Sequence, residues 1–194
     1  VRLPGTKLEL ETIAKSNLFD ATTLYMDKNA TEETINSSVP IKEAAVISFA
    51  THGMVSGELD QYSQPGLALT PIDPSIKERD GFFSLNDVLN LSLKAELVIL
   101  SACETGASRS SFSPPFSGLA TAFLASGAEK VLVSLWQVDD QATRYFMEEL
   151  VTNREKAENW TSAKQKAINT FITKFENFSH PFYWSSFVTL GSSI

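Results

Sequence analysis

Three short stretches of this chain are almost wholly apolar. They are residues 44–50 (AAVISFA), 97–102 (LVILSA) and 131–136 (VLVSLW). Runs of this length, bounded by polar or turn residues, predict strands buried on both faces. A fourth strand is predicted over 185–190. Apolar residues at helical spacing predict helices between and after the strands. One covers 116–126, with Gly127 as its terminator. A second covers 139–151, with Ala142, Phe146 and Leu150 on one face, and a third covers 161–175, with Ile168, Phe171, Ile172 and Phe175 on one face. Near the start, Thr6 and Glu9 have capping-box spacing ahead of Leu10, Ile13, Ala14 and Leu18. Residues 23–26 are expected as a short strand, and Thr31 as the opening of a helix that ends before Pro40. Strands alternating with helices of this length imply an α/β fold with a mostly parallel sheet.

Two stretches break the rhythm. Residues 54–83 are rich in Gly, Pro, Asp and Ser, with a minor strand expected at 67–70, and residues 104–116 (ETGASRSSFSPPF) read as an exposed loop. Each follows one of the apolar strands. Ligands of an open parallel sheet bind beyond the carboxyl ends of its strands. The places to look for chemistry are therefore Thr51-His52-Gly53 and Cys103-Glu104-Thr105-Gly106.

The totals narrow the classes. A chain of 194 residues suits one domain, and its net charge of −7 disfavours a phosphate backbone as partner, so no nucleic acid is expected. No apolar run approaches the roughly 18 residues that span a bilayer. The single cysteine excludes an internal disulfide and suits a reducing, cytoplasmic setting. One cysteine and two distant histidines give no zinc-ligand spacing, and neither a phosphate loop nor a Gly-x-Ser-x-Gly elbow is present. No metal or cofactor is expected. The start, Val1-Arg2-Leu3-Pro4, has no initiator methionine and no signal-peptide pattern, so the chain is expected to be a fragment lacking upstream sequence.

If the first two apolar strands are parallel neighbours, His52 and Cys103 emerge at one sheet edge, 51 residues apart (103 − 52 = 51). A thiol is already strongly nucleophilic, and an adjacent imidazole assists its deprotonation and then protonates a leaving amine. Gly53 lets its backbone approach a reacting carbonyl, and its N–H with that of Cys103 suits an oxyanion hole. The bland readings stand beside this one. Free cysteine is among the most buried residue types, and histidine before glycine also serves in turns.

The flanking words separate the two. Phe49-Ala50-Thr51-His52-Gly53 and Leu100-Ser101-Ala102-Cys103-Glu104-Thr105-Gly106 resemble the two signature motifs of the CHAT family. So do Leu3-Pro4-Gly5, Gly118-Leu119-Ala120 with Ala122-Phe123-Leu124, Ser134-Leu135-Trp136 with Val138-Asp139-Asp140, and His180-Pro181 with Trp184. Together they cover nearly the whole chain. The resemblance implies a caspase-like three-layer sandwich of clan CD, with helices on both faces of a mostly parallel sheet, forming one domain over 1–194. Caspases likewise place histidine about 50 residues ahead of cysteine. The resemblance further implies a cysteine endopeptidase acting on a protein substrate. Its dyad would be His52 and Cys103, its oxyanion donors Gly53 and Cys103, and its regulators tetratricopeptide repeats in the full-length protein or complex.

Separases carry a similar Leu-Trp word followed by an aspartate that meets a basic P1 residue. Asp140 matches that aspartate best, with Asp139 adjacent. Cleavage after Arg or Lys is therefore expected, although either aspartate also suits the cap of the following helix. Arg109 and Arg144 match no motif; Arg109, in the loop after the nucleophile, is a candidate self-cleavage site. Glu104 reads as a loop or helix-start carboxylate, and His180 as a packing residue. The competing readings are a caspase-like scaffold without activity and a small-molecule hydrolase or thiol transferase.

Overall fold

In the computed structural model, residues 4–54, 64–76, 79–101 and 117–191 are described. In chain order the first elements are α1 (Pro4–Ala14), α2 (Glu32–Ser37), α3 (Val39–Glu43), β1 (Val46–Phe49), β2 (Gly53–Met54), β3 (Gly66–Ala68), β4 (Phe82–Ser84) and α4 (Leu85–Leu89). There follow β5 (Leu97–Leu100), α5 (Ser117–Ala125), β6 (Lys130–Ser134), α6 (Asp140–Arg154), α7 (Trp160–Lys174), α8 (Pro181–Trp184) and β7 (Phe187–Gly191). They fall into two compact units, one of Tyr25–Gln137 with Thr189–Ser192, the other of Val1–Leu24 and Val138–Val188 with Ser193–Ile194.

The first unit is organised by the three apolar runs, which form β1, β5 and β6. Every residue of β5 and β6 is buried, as their lack of alternation requires. β1 and β6 both run parallel to β5, and β7 completes the sheet order β1-β5-β6-β7. This is the expected mostly parallel α/β sheet. Phe49 of β1 meets Phe123 of α5 with ring centroids 5.4 Å apart, which sets α5 against that face. Gly127 ends α5 as expected. Its φ of +116° suits glycine, and an added Cβ would stand 2.2 Å from the Leu93 carbonyl oxygen.

A second sheet was only partly foreseen. The minor strand expected at 67–70 is β3, and it is the middle of an antiparallel β2-β3-β4 sheet. β2 and β4 have two and three residues, too short for a period-2 signal to register. α4 follows β4 through a capping box in which Ser84 and Asp87 satisfy each other's backbone N–H groups.

The helix at Thr31 is confirmed as α2, with the Thr31 side chain accepting from the Thr34 N–H. Two local expectations fail. Residues 23–26 form no strand. α1 begins at Pro4, which puts Thr6 in its first turn and not at its cap.

The second unit is helical. α1 and α7 both pack on α6. Its core is aromatic: Phe146, fully buried, stacks on Phe187 at 4.2 Å and meets Phe171 edge-on at 5.9 Å. Burial of each such ring contributes roughly 1.5–3 kcal/mol. The Gly5 N–H of α1 donates to Asp140 Oδ2 of α6 at 3.1 Å, and just past the far ends of the two helices Ser16 Oγ donates to Glu155 Oε1 at 3.2 Å.

Candidate active site

The histidine is held by β3. Beyond β1, the Thr51 hydroxyl donates to the Ala68 carbonyl, and the Ala68 N–H donates to the His52 carbonyl at 2.8 Å. His52 is half-buried at the point where the chain leaves the parallel sheet and enters the antiparallel one.

Gly53 is buried and pairs with Leu67. Because the flanking His52–Ala68 position carries the ladder bond, Gly53–Leu67 is a non-hydrogen-bonding pair. In such a pair the N–H points to the side away from the partner strand. The Gly53 N–H is therefore turned away from β3. Nothing in the sequence identified β3 as the strand that orients these residues. The minor strand expected at 67–70 was its trace in the sequence, with no sign of which residues it would hold.

The register of the parallel sheet is fixed by four pairs, Val46–Leu97, Ile47–Val98, Ser48–Ile99 and Phe49–Leu100. The Ser101 N–H donates to the Phe49 carbonyl at 2.9 Å, carrying the pairing to the last described residue of that segment. Cys103, Glu104 and Arg109 lie outside the described residues.

Asp139 and Asp140 both belong to the start of α6. Asp139 is its cap, with Oδ1 accepting from the Gln141 N–H at 2.9 Å and the Ala142 N–H at 3.1 Å. Asp140 accepts from Gly5. The helix-cap role weighed for these residues is thus present in Asp139. Arg144 lies over the Tyr145 ring at 4.8 Å. His180 caps α8, its Nδ1 accepting from the Phe182 N–H at 3.2 Å. The aromatic packing around it comes from its neighbours Phe178, Phe182 and Tyr183.

Among the described residues, no cluster of His, Cys, Asp and Glu is suited to a metal ion, and no helix is long and apolar enough to cross a membrane. Two titratable groups away from these positions are displaced from their usual range. Asp73 is held low by hydrogen bonds from the Ser75 hydroxyl and then the Ser75 N–H. Burial pushes Lys164 down; its Nζ donates to the Phe187 carbonyl at 3.1 Å.

A mostly parallel α/β sheet whose strand ends carry these words defines the class. The CHAT domain family matches residues 1–192, and the chain belongs to that family. It is similar to tetratricopeptide repeat protein 28 of Homo sapiens, 32% identical over 108 residues, which is 56% of this chain and 4% of that protein. It is also similar to tetratricopeptide repeat protein 28 of Mus musculus, 29% identical over 116 residues, 60% of this chain and 5% of that protein. The chain thus spans a small part of the length of the curated relatives it matches.

Proposed function

We propose that this chain is a cysteine endopeptidase in which Cys103 attacks a peptide carbonyl and His52 carries the proton. The observation that supports this best is the β1–β5 register. Its four pairs all differ by 51 residues (97 − 46 and 100 − 49), and so do His52 and Cys103. Counted from Phe49 and Leu100, both candidates fall three residues further along their chains.

In the proposed reaction the thiol proton passes to the His52 imidazole. The thiolate bonds to the carbonyl carbon, and the carbonyl π pair moves onto oxygen. The N–H groups of Gly53 and Cys103 stabilise that oxyanion, an effect whose loss typically costs ~10²–10³ in rate. Collapse breaks the C–N bond, and the amine leaves with the proton from His52. Water then cleaves the thioester through the same imidazole, which returns a proton to the departing sulfur.

Asp139 and Asp140 are the proposed selectors of Arg or Lys at P1, by charge-assisted hydrogen bonds. The repeats in the names of its relatives suggest repeat domains as regulators, and the single cysteine suggests the cytoplasm as the setting.

The test is labelling with peptide acyloxymethyl ketones bearing Arg or Asp at P1, read by intact mass on wild type, Cys103→Ala and His52→Ala. Labelling by the Arg probe, lost in both variants, is the expected result. Labelling by the Asp probe alone keeps the dyad and removes the P1 role. Failure of both probes on folded protein returns the chain to the reading of a caspase-like scaffold without activity.

A further inference from the structure

The β3–β4 hairpin that holds His52 is itself gripped from outside by residues 27–32. On the β3 side, the Thr70 N–H donates to the Ala30 carbonyl and the Thr70 hydroxyl to the Asp27 carbonyl, both at 2.8 Å. On the β4 side, the Gly81 N–H donates to Glu32 Oε2 at 2.9 Å. The two sides meet where the Leu69 N–H donates to the Gly81 carbonyl at 2.7 Å. Leu69 directly follows Ala68, whose N–H binds the His52 carbonyl.

Glu32 is the unexpected member of this grip. It is the first residue of α2, where a carboxylate ordinarily stays in solvent. Here only 5% of its surface is exposed. The helix does not need it as a cap, because the Thr31 side chain already accepts from the Thr34 N–H. Its neighbour Glu33 remains exposed, and the 3.9 Å approach of Glu33 to Arg79 contributes little. A buried carboxylate is costly unless it is hydrogen-bonded, and its bond to an amide is charge-assisted, about twice as strong as a neutral one.

Gly81 depends on this bond in turn. It is buried, so its N–H needs an acceptor inside the protein. Removing Glu32 frees one side of the grip while Thr70 still holds the other.

We infer that Glu32 is a positioning residue for His52: through the Gly81 amide it fixes the end of the β3–β4 hairpin, and β3 fixes the backbone of the histidine. This rests on the proposed role of His52 and adds the group that holds its support in place.

The experiment reads two quantities on folded protein: the ring-proton NMR signals of the two histidines, and the rate of labelling by the Arg acyloxymethyl ketone. Glu32→Ala removes the acceptor, and Glu32→Gln keeps an oxygen for the Gly81 N–H. Thr70→Val frees the other side of the grip and carries the test if Glu32→Ala fails to fold. Ser84→Ala breaks the capping box at the opposite end of β4 and serves as the control. In Glu32→Ala the His52 signal is expected to shift or broaden while that of His180 holds. The saturating labelling rate is expected to fall about tenfold, with the probe concentration at half-saturation unchanged. Glu32→Gln should restore most of that rate, and Ser84→Ala should leave both readings in place. An unchanged His52 signal in Glu32→Ala, or an equal loss in Ser84→Ala, overturns the inference while leaving the peptidase reading standing. A displaced His52 signal with an unchanged labelling rate overturns the positioning role, since the grip then serves the fold alone. Absence of labelling in folded wild-type protein overturns the peptidase reading, and the His52 signal then decides by itself whether Glu32 holds the histidine.

Discussion

Phe49 lies opposite Leu100 in the parallel ladder between β1 and β5. That one pairing sets a 51-residue offset between two segments that each continue into a polar word, Thr-His-Gly in one and Ala-Cys-Glu in the other. A slip of one residue would reverse the side-chain faces of one strand relative to the other. The alternation of half-buried and buried residues along β1 makes such a slip costly. The register is thus a consequence of core packing.

Thr51 is expected to matter to the proposed chemistry without taking part in it. Its hydroxyl donates to the Ala68 carbonyl, and Ala68 in turn binds the His52 carbonyl. Thr51→Val keeps the shape and removes the donor, leaving a partly buried carbonyl with one bond fewer. A stability loss of about 1 kcal/mol is expected in urea denaturation. A fall of about tenfold in probe labelling should accompany it as His52 loosens. Full labelling in a destabilised variant would show that the brace serves the fold alone.

Gly127→Ala should be among the more damaging single changes in the first unit. The residue has φ of +116°, and the new methyl would be driven against the Leu93 carbonyl oxygen. A loss of roughly 3 kcal/mol is expected from backbone strain and displacement of the segment at Leu93. Chemical denaturation would measure it, and a change below about 1 kcal/mol would contradict the account.

Phe146→Ala removes the ring that stacks on Phe187 and meets Phe171. Because Phe146 is fully buried, its loss leaves a cavity, and a cost of about 3–5 kcal/mol is expected. Phe146→Leu retains more volume and should cost less. Equal costs for the two would mean that the stacking geometry, and not volume, dominates.

Lys164 gives the stability a pH dependence whose sign follows from its environment. Burial lowers its folded-state pKa below the ordinary 10.5, so the folded protein releases this proton before the unfolded chain does. The penalty for holding the charge is fully present below the folded pKa and is relieved as pH rises from there towards 10.5. Its contribution to stability therefore increases with pH across that window. Lys164→Met should remove this component, so that the difference in unfolding free energy between wild type and variant grows with pH on the approach to 10.5. A difference independent of pH would contradict the burial argument.

Much of the architecture was legible in the chain. The three apolar runs, the α5 terminator Gly127, the cap at Thr31 and the apolar face of α6 are local signals, each contained within a few turns or one strand, whereas the buried face of α7 is Trp160, Ala163, Ala167 and Phe171, which shares only Phe171 with the face expected there. The words around His52 and Cys103 pointed to the family and to the chemistry proposed for it. Boundaries were less legible: the strand expected at 23–26 is absent, and α1 starts ahead of the capping-box residues.

The sequence alone determined which segments must be buried, because apolar patterning is written residue by residue along the chain. Only the tertiary structure decided which of them become neighbours. The pairing of β1 with β5 at an offset of 51, the hold of β3 on His52 and the fit of Gly5 against Asp140 join residues far apart in the chain. Such contacts arise from closing the chain on itself, and a local pattern carries no record of its distant partner.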